Sequence, residues 1–243
     1  MTTNSFSDER CKNISENLKL IREKICDSAV KSGRNYEDIK LMAVTKTVPV
    51  EYINYSIDNC GVNLIGENKV KEFLSKKDEL HLDGVEKHLI GHLQTNKVKK
   101  IVPLVDMIQS VDSLHLAEEI SKQASNSGIN MKILLEVNIG SEESKTGFDK
   151  VQFFESMSQI SELPMITVNG IMTIPPICDN ESELRKYFTT MSQYFHDIKE
   201  KQYKNFNMEI LSMGISGDYA QAIECGANLV RIGSLIYGAR IYK

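Results

Sequence analysis

No two of the five cysteines, Cys11, Cys26, Cys60, Cys178 and Cys225, are spaced as Cys-x-x-Cys. Their odd number and wide separation argue against a disulfide framework or a cysteine-based metal site and indicate reduced thiols. The sequence also lacks any apolar run of the roughly 18–20 residues that a membrane span needs. Its opening, Met1-Thr2-Thr3-Asn4-Ser5, has neither the basic nor the apolar region of a signal peptide. A cytoplasmic protein with no membrane partner is therefore expected. Positive charge is not in excess: the net charge is -4 over 243 residues, so nothing here would neutralise a nucleic-acid backbone. No Pro/Gly/Ser-rich linker or low-complexity stretch interrupts the chain, which is read as one domain over residues 1–243. No exposed heptad seam is evident, and a monomer is expected.

The histidines do not supply a metal site either. His88 and His92 are four apart, but Leu89-Ile90-Gly91 between them reads as the end of a strand rather than a helix turn, and no acidic third ligand stands nearby.

What the sequence does contain is regular alternation. Ser7 followed by Asp8 and Glu9 marks a helix start, and Ile14, Leu18, Ile21 and Ile25 repeat at helical spacing until Gly33, which predicts a helix over 8–32. Short apolar runs then predict eight strands, at 39–45, 63–65, 87–90, 106–109, 132–138, 167–173, 209–212 and 229–232. Helical stretches fill gaps between them, among them 49–59, 114–127, 149–162 and 181–203. Strand-helix alternation argues for a parallel sheet, and eight units in a chain near 250 residues fit an α/β, (β/α)8 TIM-type barrel. A flavodoxin-like open sheet is the runner-up. Only residues 234–243 follow the eighth strand, so the N-terminal helix is expected to help cover the place where a last helix packs.

In such a barrel the chemistry gathers at the carboxyl ends of the strands. Lys46 ends the run Leu41-Met42-Ala43-Val44-Thr45, just before Thr47-Val48-Pro49. A lysine placed there, partly desolvated, becomes a usable amine nucleophile toward carbonyls. Units seven and eight supply the parts of a phosphate cradle. Ser212-Met213-Gly214-Ile215-Ser216-Gly217-Asp218 forms a glycine-containing loop into a helix over 219–224, and Gly233-Ser234 follows the last strand. The competing reading of Ser216 is a helix cap. Arg231 lies inside the apolar strand Leu229-Val230-Arg231-Ile232, on the same face as Gly233, where an unpaired guanidinium is costly. An amine, a phosphate cradle and an arginine between them are the three anchors of a pyridoxal 5′-phosphate site. An arginine at the ring nitrogen would disfavour its protonation and weaken the ring as an electron sink.

These residues are similar to those of the pyridoxal phosphate homeostasis protein family, which has the barrel of the alanine racemase N-terminal domain. The resemblance is collinear over nearly the whole chain. It comprises Ala43-Val44-Thr45-Lys46-Thr47, Ile65-Gly66-Glu67-Asn68, His88 through Lys97, and Val137-Asn138-Ile139-Gly140 leading to Glu143-Ser144-Lys145-Thr146-Gly147. It continues through Gly170 to Pro175, Leu211 to Ser216, Val230 to Ser234 and Gly238-Ala239-Arg240. Ile215, Gly217 and Leu89 depart from the family pattern. The resemblance implies a single-domain, fold type III barrel in which Lys46 forms a Schiff base with the cofactor and Asn68 lies beside it. It further implies that the loop Ser212, Met213, Gly214 and Ser216, with Gly233 and Ser234, holds the phosphate, and that Arg231 approaches the pyridine nitrogen. The implied role is intracellular vitamin B6 homeostasis without turnover, with apoenzymes that require pyridoxal phosphate as recipients. The alternative is an amino-acid racemase of the same fold. That reaction needs a second base opposite the lysine, which such racemases take from an additional β-domain and a partner subunit. The sequence ends at Lys243 without room for that domain, and Tyr219 and Tyr237 read as helix-face and packing residues. A cofactor-free Schiff-base aldolase would leave the phosphate loop and Arg231 unexplained.

Overall fold

Ser7 caps the first helix, α1 (Asp8–Lys31), its Oγ accepting the Arg10 N–H at 3.4 Å, with Asp8 and Glu9 placed favourably against the helix dipole. Ile14, Leu18, Ile21 and Ile25 form its buried stripe, each contributing about 1.5–3 kcal/mol by removal from water. This computed structural model describes residues 7–142, 146–178 and 180–239. Of the residues named above, Glu143-Ser144-Lys145, Arg240 and the outermost ends of the chain lie outside the described residues.

The strands are β1 (Lys40–Val44), β2 (Leu64–Glu67), β3 (Glu86–Leu89), β4 (Met107–Val111), β5 (Met131–Glu136), β6 (Ile166–Met172), β7 (Phe206–Ser212) and β8 (Leu229–Ile232). They pair in sequence order, all parallel, and β1 closes on β8 with Met42 opposite Arg231. The fold is a closed (β/α)8 barrel, and closure rules out the open-sheet alternative. Between the strands run α2 (Val50–Cys60), α3 (Val70–Lys76), α4 (Thr95–Ile101), α5 (Leu114–Ser127), α6 (Lys150–Ser161), α7 (Glu181–Lys201) and the short α8 (Tyr219–Glu224). A single turn, α9 (Ser234–Tyr237), follows β8. Because α8 and α9 are short, α1 packs against both of them and against α2, which places it where a full last helix would lie.

Period-two alternation, interrupted by register shifts along β4 to β7, sorts the strand residues into two environments. Ala43, Ile65, Leu89, Ile108, Ile133, Ile171, Leu211 and Val230 face outward into the layer shared with the helices. Met42, Val44, Leu64, Ile90, Met107, Leu134, Met172, Ile210 and Leu229 face inward and fill the barrel. Filling is tight enough that a Cβ on Gly66 would lie 2.4 Å from Met42 Sδ. The inward positions that are not apolar, His88, Gln109, Glu136, Ser212 and Arg231, are buried polar groups and must find partners inside.

Candidate functional site

Met42, Val44 and Lys46 share one parity, so the direction that carries β1 side chains into the barrel delivers Lys46 to its mouth. The chain then turns abruptly. Thr47 has φ of 63°, a conformation that costs a β-branched residue about 1–3 kcal/mol. Contacts on both sides offset that cost. Thr45 N–H stays in the ladder with Gly66 O at 3.0 Å, and Val48 N–H closes the turn on Thr45 O at 3.1 Å. Thr47 N–H donates to Glu72 Oε1 at 2.5 Å, while Lys76 Nζ donates to the same oxygen at 2.5 Å and to Thr45 O at 3.2 Å. The lysine turn is thus braced from α3.

Glu67 lies behind this brace and is almost fully buried. Burial pushes its carboxyl up to about 7; Lys76, Nζ 3.7 Å from Oε2, pulls the other way, and Glu72 adds to the rise. Thr45 Oγ1 donates to Oε1 at 3.3 Å, and among the described residues Oε2 has no hydrogen-bond partner. A carboxyl raised from an unfolded value of about 4.3 stabilises the fold fully below that pH and loses the contribution as pH rises toward 7. The expected outcome is a decline on the order of 2–3 kcal/mol in unfolding free energy between pH 4.5 and 7.5, removed in Glu67→Gln, with urea titration as the measurement. Equal slopes for the two proteins would contradict it.

Lys46 opens into a cavity of about 750 Å³ at the carboxyl end of the barrel. Asn68, Ser216, Arg231, Gly233 and Ser234 share its wall with apolar Val44, Ile90, Ile174 and Ile215. Arg231 is buried, with Nη1 donating to Ser212 Oγ at 2.5 Å and Nη2 to Thr173 O at 2.8 Å. Burial draws the guanidinium down to about 10, against the opposing pull of Glu136 and Asp218, so it is cationic at neutral pH. The two terminal loops meet where Ser234 Oγ donates to Ser216 Oγ at 3.1 Å. Ser216 does not cap α8: Asp218 takes the N-cap position, and its Oδ1 accepts the Ile215 N–H at 2.6 Å to fold the loop back.

Three residues of the loop stand behind the wall rather than in it. Ser212 is buried, and its Oγ accepts from Arg231 Nη1. Met213 has the outward parity of Leu211 and packs in the layer facing the helices. Gly214 has φ of 94°, and a Cβ there would lie 2.7 Å from Ala222 Cβ, so its role is to let the loop pass close to α8. Its carbonyl accepts the Arg231 N–H at 3.0 Å. Other strand-end polar groups brace neighbouring loops: Ser110 Oγ donates to Gly91 O at 2.7 Å and Thr173 Oγ1 to Val137 O at 2.7 Å. His88 and His92 diverge, His88 into the barrel and His92 to Asp112, with Nδ1 2.9 Å from Oδ2.

Arg10 was not legible as a site residue. It reaches the same cavity from α1, its guanidinium 4.1 Å over the Tyr52 ring and Nη2 donating to Tyr237 O at 3.3 Å. The available signal was a basic residue in the first helical turn, where the dipole favours acids.

Residues 11–241 match the family described as Alanine racemase, N-terminal domain. A protein of Aquifex aeolicus named Pyridoxal phosphate homeostasis protein is 41% identical over 95% of this chain and 100% of its own length. The chain belongs to the pyridoxal phosphate homeostasis protein family. PipY of Synechococcus elongatus, solved with PLP bound, is 30% identical and superposes with a TM-score of 0.81 over 93% of this chain and 100% of its own. An alanine racemase from Streptomyces coelicolor, 15% identical with a TM-score of 0.71, shares the barrel across 95% of this chain and 59% of that enzyme. In this member of the homeostasis family, Lys46, Asn68, Ser216, Arg231, Gly233 and Ser234 face one cavity.

Proposed function

We propose that the chain binds pyridoxal 5′-phosphate at the barrel mouth, holds it as a Schiff base on Lys46, and serves intracellular vitamin B6 homeostasis without turnover of its own. The observation that carries this reading is the convergence of an amine, a buried arginine and a pair of hydroxyls on a single cavity. When bound, the cofactor supplies an aldehyde that condenses with an amine and releases one water. Lys46 is the amine aimed into the cavity. Arg231, fixed by Ser212 and Thr173, would face the ring nitrogen as a donor and keep it unprotonated. Ser216 and Ser234 hydroxyls, beside Gly233, would hold the phosphate, with the Gly214 turn setting the loop and Asn68 lining the ring side. Arg10 adds a positive charge to the same cavity, which suits a dianion.

The racemase alternative needs a second base across from Lys46. Tyr237 is poorly suited: its hydroxyl is 2.8 Å from Ser56 Oγ, and burial pushes the phenol well above its usual range. Tyr219 is directed to a different surface recess, and burial raises it as well. The reading extends to a cytoplasmic monomer that passes its cofactor to apoenzymes requiring it. Among the described residues no helix is long and apolar enough to cross a membrane.

The test is chemical trapping. Protein loaded with pyridoxal phosphate, reduced with borohydride and digested, is expected to carry the adduct on the peptide containing Lys46. An adduct spread over surface lysines, or none, would overturn the assignment.

A further inference from the structure

Four of the five inward polar residues named above, Glu136 being the exception, lie on one connected path. Arg231 Nη1 is 2.5 Å from Ser212 Oγ, which is 2.7 Å from Gln109 Oε1. Gln109 Nε2 is 2.8 Å from His88 Nδ1, and His88 Nε2 is 2.7 Å from Glu86 Oε1. The path crosses β8, β7, β4 and β3, from the mouth to the first residue of β3 at the opposite rim. Its four inner members are buried, whereas the Glu86 side chain is 32% exposed.

Both ends fix the direction of donation. A guanidinium only donates, so Ser212 Oγ accepts from Arg231 and its own proton is left for Gln109 Oε1. A carboxylate only accepts, and Glu86 is held as one, its carboxyl drawn down to about 2 chiefly by the His88 hydrogen bond. His88 Nε2 must therefore carry a proton, and Nδ1 accepts from the Gln109 amide. In this arrangement each of the four contacts has one donor and one acceptor. Flipping the Gln109 amide would present its oxygen to Nδ1, which requires a doubly protonated His88, and would aim a second donor at Ser212 Oγ.

We propose that Ser212, Gln109 and His88 are positioning residues in a one-way hydrogen-bond relay, anchored on Glu86 at the far rim, that fixes the Arg231 guanidinium toward the bound cofactor ring. This rests on the reading of Arg231 given above. A merely space-filling interior would use apolar side chains here, as the inward neighbours Met42, Met107, Ile210 and Leu229 do. The polar path instead gives Arg231 a preferred rotamer and couples it to a residue at the other end of the barrel.

The relay is tested from its accessible end, where substitution does not disturb packing. Full-length wild type, Glu86→Ala, Glu86→Gln and Lys40→Ala are compared by ¹⁵N histidine NMR without cofactor and by titration with pyridoxal phosphate. Wild-type His88 is expected as the single Nε2–H tautomer. Glu86→Ala is expected to give a tautomer mixture and a dissociation constant raised about fivefold. Glu86→Gln retains an acceptor oxygen and is expected to restore both. Lys40→Ala removes the 3.7 Å ion pair to Glu86 but not the acceptor, and is expected to match wild type. A Glu86→Ala protein with an unchanged His88 tautomer, or with affinity within about twofold of wild type, overturns the relay. If wild type takes up no cofactor, the functional reading fails instead, and the tautomer in the cofactor-free proteins still decides the relay.

Discussion

Replacing Lys46 with alanine is expected to abolish the near-visible absorbance of the cofactor-loaded protein and to raise the dissociation constant for pyridoxal phosphate on the order of a hundredfold, about 2.7 kcal/mol. The covalent bond would be lost while the phosphate and ring contacts remain, so residual weak binding is expected rather than none. Among the described residues that line the cavity there is no second lysine. Lys76 braces this turn from α3, and its ammonium is held by Glu72 Oε1 at 2.5 Å and Thr45 O at 3.2 Å. Lys46 itself is only half-buried, and the Thr47 and Thr45 backbone contacts that secure the strained turn beside it remain in the variant. The thermal midpoint should therefore move by no more than about 2 °C. Spectrophotometry, titration and calorimetry on one preparation separate the two effects. An absorbance band that survives in Lys46→Ala would mean that another amine captures the aldehyde.

The barrel was legible because its strands are buried on both faces and so appear as continuous apolar runs. Helix α5 was legible to the residue, since Ser113 caps its start and Gly128, in the left-handed region with φ of 65°, stops it. Helices α3 and α4 were not singled out. Each is seven residues long with two buried side chains among charged ones, too short for an apolar stripe to repeat. At the site, strand parity decided which predictions came together. Lys46, Arg231 and Gly233 lie on inward positions and meet, whereas Met213 lies one residue off the parity of Ser212 and turns outward. Arg10 could not be found by parity because it arrives from α1, across the barrel closure. The path from His88 to Gln109 depends on register between neighbouring strands, and in the sequence each of these residues shows only as a polar interruption in a strand.

Substituting Arg231 by glutamine is expected to weaken both the fold and the cofactor site. The shorter amide cannot span Ser212 Oγ and Thr173 O together, so a buried carbonyl and the head of the relay lose a charged donor. Glu136 and Asp218, both already pushed up by burial, would lose the cation that holds them down. Breaking such a buried charge network costs on the order of 3–5 kcal/mol, which urea unfolding of the cofactor-free protein would read directly. Arg231→Lys distinguishes charge from geometry. It keeps a cation near Glu136 and Asp218 but offers a point charge in place of a planar fork, so it should recover part of the stability and little of the affinity for pyridoxal phosphate. Full recovery of affinity by lysine would show that the ring side of the cavity needs only positive charge, and the orientation imposed through Ser212 would then have no part in binding.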